Sequence, residues 1–315
     1  MSGSMKLAVL GAGNIGTLVG AKLSQVEGAK VLIHARGEHA ASLALNGIKM
    51  NGIENLDVPN HKFDLSIADV EFNPIFDGLA DIILICSKAK DVNNLLSMAR
   101  RLCHQATKIL VLSNGLGHLE SAIEEFGPNR VVPATTTHGV WREFPGVINW
   151  AGSGAINIGR IDQSPTKDEL SEFLEYVELA GLNPIWFDDG RKLIWSKILI
   201  NIAINPIASI TGQRNGDLLQ AEMFDMCTEV MLEGAKVARL EGVALDSDAD
   251  LIDNLRQVLE QTGANTCSML QDIRNGRETE IAFLNRMIVS RAEKYGMSTP
   301  LNQLLSKLIE SITLY

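Results

Sequence analysis

The apolar positions follow two rhythms, and the change of rhythm divides the chain. Up to about residue 188, short apolar runs alternate with stretches of helical spacing. The runs are Lys6–Leu10 (KLAVL), Lys30–Ala35 (KVLIHA), Asp81–Ser87 (DIILICS), Lys108–Ser113 (KILVLS), Val131–Thr137 (VVPATTT) and Asn183–Phe187 (NPIWF). Unbroken apolar runs of this length suit strands buried on both faces. Helical patterning covers Thr17–Gln25, the stretch after Asp91 up to Arg101, and Thr166–Ala180. Ala41–Ala68 reads as irregular or short-strand structure with Asn51-Gly52 as a turn, and Gly146–Asn157 with Ala155–Ile161 as two antiparallel strands. After Gly190 the strand signals vanish. Arg191–Thr211, Leu218–Glu241, Ser247–Gln261, Cys267–Arg274, Glu278–Tyr295 and Leu301–Ile312 all show helical periodicity. Gly242, Gly276 and Gly296 stand where such helices should stop. The expectation is an α/β domain over residues 1–188 followed by an all-helical domain over 189–315. Met1–Ser4 (MSGS) reads as a cloning remnant ahead of a natural Met5.

The first strand runs straight into Gly11-Ala12-Gly13-Asn14-Ile15-Gly16, then a helix, then a second strand. Strand, G-x-G-x-x-G, helix and strand within about thirty residues is the setting of a Rossmann-type dinucleotide site. Gly11 permits the tight turn, Gly13 lets backbone approach a pyrophosphate, and Gly16 lets the helix pack close. The helix start then offers N–H groups and a positive dipole end to the phosphates. At the end of the second strand an NAD-type site carries Asp or Glu for the ribose hydroxyl. Here Arg36 stands there instead. A guanidinium can grip a 2′-phosphate with two prongs, which argues for NADP over NAD. Two more strands end in polar loops, at Lys88 and at Asn114. Ligands of open α/β sheets bind at the carboxyl ends of strands, so both residues are candidates to face the cofactor. The plain alternatives are a helix-start lysine and a turn asparagine. His34 and His39 read as solvated or packed loop residues, and His138 as a satisfied structural histidine ahead of a catalytic acid.

The second domain opens on Trp195–Pro206 (WSKILINIAINP). Lys197, Asn201 and Asn205 recur every fourth residue, which stacks one cation and two amides on one helix face. The positions between them are mostly Ile, Leu and Ala. Polar groups on so apolar a helix need partners, because an unpaired buried one costs roughly 1–3 kcal/mol. They are either core-edge residues bonded to neighbouring backbone or the polar face of a site lying over the nicotinamide.

Composition removes several other classes. The 315 residues are 46% hydrophobic with a net charge of −10. No basic field speaks for nucleic acid or an anionic membrane. No apolar run reaches the ~20 residues of a bilayer span, and the start has no signal-peptide pattern, so a cytoplasmic location is expected. Cys86, Cys103, Cys227 and Cys267 are scattered without C-x-x-C spacing, so neither zinc nor a disulfide framework is expected, and no other metal-ligand motif is present.

Taken together, GAGNIG at Gly11–Gly16, SKAKD around Lys88, SNGLG around Asn114 and TTTHG at Thr135–Gly139 resemble the ketopantoate reductase family. So do WSKILINIAINP, Asn215-Gly216 and NTCSMLQDIRNGRETEI at Asn265–Ile281, and the resemblance covers the chain from Met5. It implies reduction of 2-dehydropantoate to pantoate with NADPH, in the route to pantothenate and coenzyme A. By position it implies Lys197 as proton donor with Glu280 close to it and to the cofactor. Asn114, Asn201, Asn205, Asn215 and Ser268 would hold substrate. Gly11, Ala12, Gly13, Asn14, Ile15, Gly16, Arg36, Lys88, Asn114 and Val140 would hold NADPH. Ala282 and Asn285-Arg286 depart from the acidic residue and the Asn-Gly that members often carry, and Cys267 from a common Ser or Thr. The helical domain could supply a homodimer interface.

The chemistry fits these residue types. Hydride reaching a ketone carbon builds negative charge on its oxygen, and a nearby ammonium can both stabilise and protonate that oxygen. Burial would draw the Lys197 pKa towards neutrality, and a carboxylate at Glu280 would counter that. Other readings are a reductase of a different 2-oxo acid and a dinucleotide-binding regulator without turnover. A hydrolase lacks a nucleophile elbow here.

Overall fold

A computed structural model describes residues 4–68 and 79–312. The chain divides into two compact units, one formed by residues up to Ser113 with His118–Arg191, the other by Asn114–Gly117 with Lys192 onwards. The first holds β1 (Met5–Leu10), α1 (Asn14–Leu23), β2 (Ala29–Ala35), α2 (Gly37–Asn46), β3 (Ile48–Gly52), β4 (Leu56–Val58) and β5 (Asp64–Ile67). It continues with β6 (Ala80–Ile85), α3 (Val92–Leu102), β7 (Cys103–Val111), α4 (His118–Phe126), β8 (Val131–Thr136), β9 (Gly139–Phe144), β10 (Val147–Gly152), β11 (Ile156–Gly159), α5 (Ser171–Leu179) and β12 (Pro184–Phe187).

The large sheet runs β12-β11-β8-β7-β6-β1-β2-β5. Its strands from β8 to β5 are parallel, with β1 seated between β2 and β6. The unbroken apolar runs follow from coverage on both faces. Because side chains alternate across a strand, Leu7 and Val9 enter one core with Ile82 and Leu84, while Ala8 and Leu10 enter another with Ile83 and Ile85. The first core takes Leu18 and Val19 of α1 and Phe173, Tyr176 and Val177 of α5, and the second takes the apolar face of α3. This is the α/β sheet domain that the pattern predicts.

Three local expectations change. Ala41–Asn46 is helical, as part of α2, because His39, Ala40 and Leu43 bury one face of that segment. The strands expected over Gly146–Ile161 do not pair with each other. β10 pairs with β9 and β3 in a second sheet, β4-β3-β10-β9, whereas β11 joins the large sheet between β8 and β12. Glu278–Tyr295 is not one helix: a 3-10 turn at Ile281–Phe283 is followed by a break at Leu284.

The second unit is all helical: α6 (Gly190–Thr211), α7 (Ala221–Leu240), α8 (Asp248–Gln261), α9 (Ser268–Arg274), α10 (Asn285–Glu293) and α11 (Pro300–Ile312). Gly242, Gly276 and Gly296 follow helix ends with φ of 79°, 60° and 65°, the left-handed stop that glycine allows cheaply. α6 is apolar nearly all round and is the central core helix, with Trp195, Ile198, Leu199, Ile202 and Ala203 in one cluster with α7 to α11. α7 approaches it closely at Gly234, where a Cβ would come within 2.4 Å of Ile202 Cδ1. Among the described residues α6 is the one helix long and apolar enough to cross a membrane, and 67% of its most apolar window is buried inside the protein.

Candidate active site

In the first unit the glycine fingerprint forms a cradle. Gly11 has φ of +100°, and a Cβ there would meet Cys86 O at 2.8 Å. A Cβ on Gly16 would meet Gly11 O at 2.1 Å, so the helix start sits directly against its own loop. Gly13 is different: the nearest atom to its Cβ position is 3.9 Å away. Two glycines are thus demanded by packing, and the third leaves one side of the backbone open. α1 starts at Asn14 with Gly13 as its cap and carries no acidic residue in its first turn, so its own side chains do not cancel the positive end of its dipole. This cradle fits a dinucleotide pyrophosphate. Asn14 Nδ2 donates to Val140 O at 3.1 Å and Ile15 packs on the core, so both serve the cradle wall.

Beneath the cradle, Thr17 Oγ1 donates to Gly13 O at 2.6 Å, and His39 Nε2 lies 3.0 Å from that hydroxyl. The Gly146 N–H donates to His39 Nδ1 at 3.0 Å, so Nδ1 is bare and the ring proton sits on Nε2. Burial, with help from Arg142, lowers the His39 pKa to about 4. His39 is therefore a neutral structural clamp. His138 is one too: Gly154 N–H donates to Nδ1 at 3.0 Å and Nε2 donates to Leu182 O at 3.1 Å. Its ring is spent, and burial lowers its pKa as well.

Arg36 caps the start of α2 and is exposed. Its guanidinium takes Asp91 in a two-pronged pair at 3.1 and 2.8 Å. Asp91 belongs to the SKAKD loop, where Lys88 is half-buried and caps the 3-10 turn Ala89–Asp91. Sequence alone does not offer Asp91 as a partner, since 55 residues separate the two.

In the second unit, Lys197, Asn201 and Asn205 lie on one face of α6, with Lys197 and Asn201 half-buried and Asn205 buried. Burial draws the Lys197 pKa down to about 8, and the Glu280 carboxylate pulls the other way. The loop Asn114–Gly117 belongs to this unit. Leu116 N–H donates to Phe283 O at 3.0 Å, and Gly115, at φ +97°, lies so close to Phe283 that a Cβ would come within 2.8 Å. That anchor brings Asn114 Nδ2 to 3.5 Å from Glu280 Oε2. Phe283 is invisible as a site residue in sequence, because its contribution is a backbone carbonyl.

α9 is tied to α6 through Cys267, whose thiol donates to Asn205 O at 3.6 Å and accepts from Leu270 N–H at 3.4 Å. Cys267 is thus the cap of α9, and Ser268, its first residue, is exposed. Asn215 donates through Nδ2 to Thr262 Oγ1 at 2.9 Å and through its backbone N–H to Asn265 O at 3.0 Å. Its Oδ1 is buried without a hydrogen-bond partner. Burial pushes all four thiols up, Cys86 and Cys227 to about 12, so none is a ready nucleophile. Among the described residues no group of three His, Cys, Asp or Glu is placed to hold a metal.

Residues 7–163 match the model of the family described as ketopantoate reductase PanE/ApbA, and 189–313 match its C-terminal counterpart. A 2-dehydropantoate 2-reductase of Pyrococcus horikoshii is 33% identical over 98% of this chain and 97% of its own. A D-mandelate dehydrogenase, solved as a ternary complex with NADH and anilino(oxo)acetate, superposes with a TM-score of 0.87 at 28% identity, covering 98% of both chains. A ketopantoate reductase from Ralstonia eutropha gives 0.85 at 26%, again over 98% of both. With both halves matched and a third of its residues shared with a full-length relative, this chain belongs to the ketopantoate reductase family.

Proposed function

We propose that this protein reduces 2-dehydropantoate to pantoate with NADPH, with Lys197 as proton donor. One observation carries the reading: an ammonium whose pKa is drawn to about 8, beside a carboxylate and on the same helix face as two amides. Bound in the first unit, the reduced nicotinamide supplies the hydride. Lys197 stabilises the charge that grows on the carbonyl oxygen and gives it a proton. Glu280 keeps Lys197 protonated and, through Asn114, is held in place. Asn201 and Asn205, being neutral, orient a polar substrate without cancelling that charge. Asn215, held by Thr262, completes the substrate set, and Ser268 donates to the substrate's carboxylate. The Gly11–Gly16 cradle with Lys88 and Val140 receives the cofactor.

Arg36 selects NADPH in this reading. Its pair with Asp91 is exposed, and an exposed pair is worth about 0–1 kcal/mol. A 2′-phosphate carries nearly twice the charge of the Asp91 carboxylate and three acceptor oxygens, so it can compete for the same guanidinium prongs. The reading carries a cytoplasmic location in the route to pantothenate. It also carries a homodimer through the helical unit, where Leu304, Leu308 and Ile312 form an exposed apolar row on α11.

The test is Lys197→Ala. General acid catalysis contributes about 10²–10⁴-fold, so NADPH oxidation with 2-dehydropantoate should fall by that factor while NADPH binding persists. A mutant with parental turnover removes the assignment. The likeness to a D-mandelate dehydrogenase bound to NADH favours one other reading, a different 2-oxo acid reduced with NADH. A panel of 2-dehydropantoate, pyruvate, 2-oxoisovalerate and phenylglyoxylate, each with NADPH and NADH, separates the two.

A further inference from the structure

α6 carries a proline inside its span, Pro206, directly after Asn205. Proline has no N–H, so the carbonyl four residues back, that of Ile202, loses its helical partner. Ile202 is fully buried, so water cannot replace that partner. The replacement comes from 83 residues further on: Asn285 Nδ2 donates to Ile202 O at 2.9 Å.

The orientation of this amide is forced by acceptor-only partners. Asn302 Nδ2 points at the Val230 carbonyl, 3.3 Å, and at the Glu233 carboxylate, 2.7 Å, so its Oδ1 faces the other way. That Oδ1 accepts the second Asn285 N–H at 2.9 Å. Glu233 is itself fixed by the Leu301 and Asn302 backbone N–H groups at the start of α11. Asn285 and Asn302 are both fully buried. One polar relay thus runs from α11 through α7 and α10 into the interrupted turn of α6. Asn285 Oδ1 has no partner at all. The site keeps a donor there at the expense of an orphaned acceptor.

We propose that Asn285 is a positioning residue for the reaction: by satisfying the Ile202 carbonyl it fixes the broken turn of α6 and so sets the aim of Asn201 and Asn205 at the substrate. Asn201 and Asn205 flank the break, whereas Lys197 lies a full turn before it. This role rests on the substrate reading given above for Asn201 and Asn205. The effect therefore falls on the 2-oxo acid more than on the cofactor or the proton donor.

A double-mutant cycle tests it, using full-length protein, Asn285→Ala, Pro206→Ala and the double variant. Pro206→Ala restores an N–H that the Ile202 carbonyl can accept. Asn285→Ala alone should raise KM for the 2-oxo acid about tenfold or more, in line with the up to 10²-fold cost of a small misplacement. The Kd for NADPH and the pH at which activity falls on the alkaline side should stay put. Its loss of Tm should be clearly smaller in the Pro206→Ala background. Equal losses in both backgrounds overturn the anchor. Coupled Tm values with an unmoved KM, while Asn205→Ala does raise KM, reduce Asn285 to a structural group and overturn the positioning role. If Asn205→Ala also leaves KM unmoved, the failure lies in the substrate reading, and the positioning role falls with it. Should Asn285→Ala yield no folded protein, Asn285→Ser takes its place in the cycle and is read by the same Tm and KM criteria.

Discussion

Replacing Glu280 by Gln removes one charge from the site and leaves the shape. The Lys197 ammonium stands at a pKa of about 8 as the outcome of two opposed effects, burial pulling down and the Glu280 carboxylate pulling up. Against the ordinary value of 10.5, the net displacement corresponds to about 3 kcal/mol against the charged form. A donor with that pKa is roughly nine-tenths protonated at pH 7 and roughly one-tenth at pH 9. The parent should therefore show kcat/KM for the 2-oxo acid level below about pH 7, then falling about tenfold per pH unit above 8. An opposite charge at close range moves a pKa by about 1–3 units. Taking it away can only lower the ammonium, so in Glu280→Gln the alkaline limb should move to lower pH by about one unit or more. At pH 7 the cost is about twofold for one unit and about tenfold for two, and it is recovered on acidification. The assay is NADPH oxidation followed by absorbance at subsaturating 2-oxo acid across the pH range, with NADPH binding measured in parallel. A limb that stays where it was, or moves to higher pH, refutes the pairing of these two residues.

Three further outcomes can be checked. Arg36→Ala should raise KM for NADPH by about tenfold to a hundredfold, the worth of hydrogen bonds to a charged group, while KM for NADH holds; equal changes for both cofactors would remove the 2′-phosphate assignment. Gly13→Ala points its methyl into open space and should keep its Tm while losing dinucleotide affinity in titration calorimetry, whereas Gly16→Ala meets Gly11 O at 2.1 Å and should fold poorly; the reverse order would mean the cradle is misread. His39 has a folded pKa of about 4 against an ordinary 6.5, so the unfolded chain takes the proton first. Stability is then full above about pH 6.5 and lost towards pH 4, by at most about 1.4 kcal/mol per pH unit, and urea midpoints should show less of this acid loss in His39→Gln.

What the sequence determines here is whatever a short periodicity can encode. Unbroken apolar runs for strands buried on both faces, helical spacing over most of the chain after Gly190 and glycines beyond helix ends are local properties, and the structure carries them where the pattern puts them. The same holds for Lys197, Asn201 and Asn205, whose common face needs only 3.6 residues per turn. The misses have one cause. The helix over Ala41–Asn46, the assignment of β10 and β11 to different sheets and the break at Leu284 are decided by what each segment packs against. Tertiary structure alone gives Arg36 its Asp91, turns Asn114 towards Glu280 through a contact with Phe283, and lowers Lys197 by surrounding it. It alone brings Asn285 to the carbonyl that Pro206 leaves without a donor. Burial, charge pairing and the satisfaction of a lone carbonyl are fixed by neighbours in space, and those neighbours lie tens of residues away along the chain.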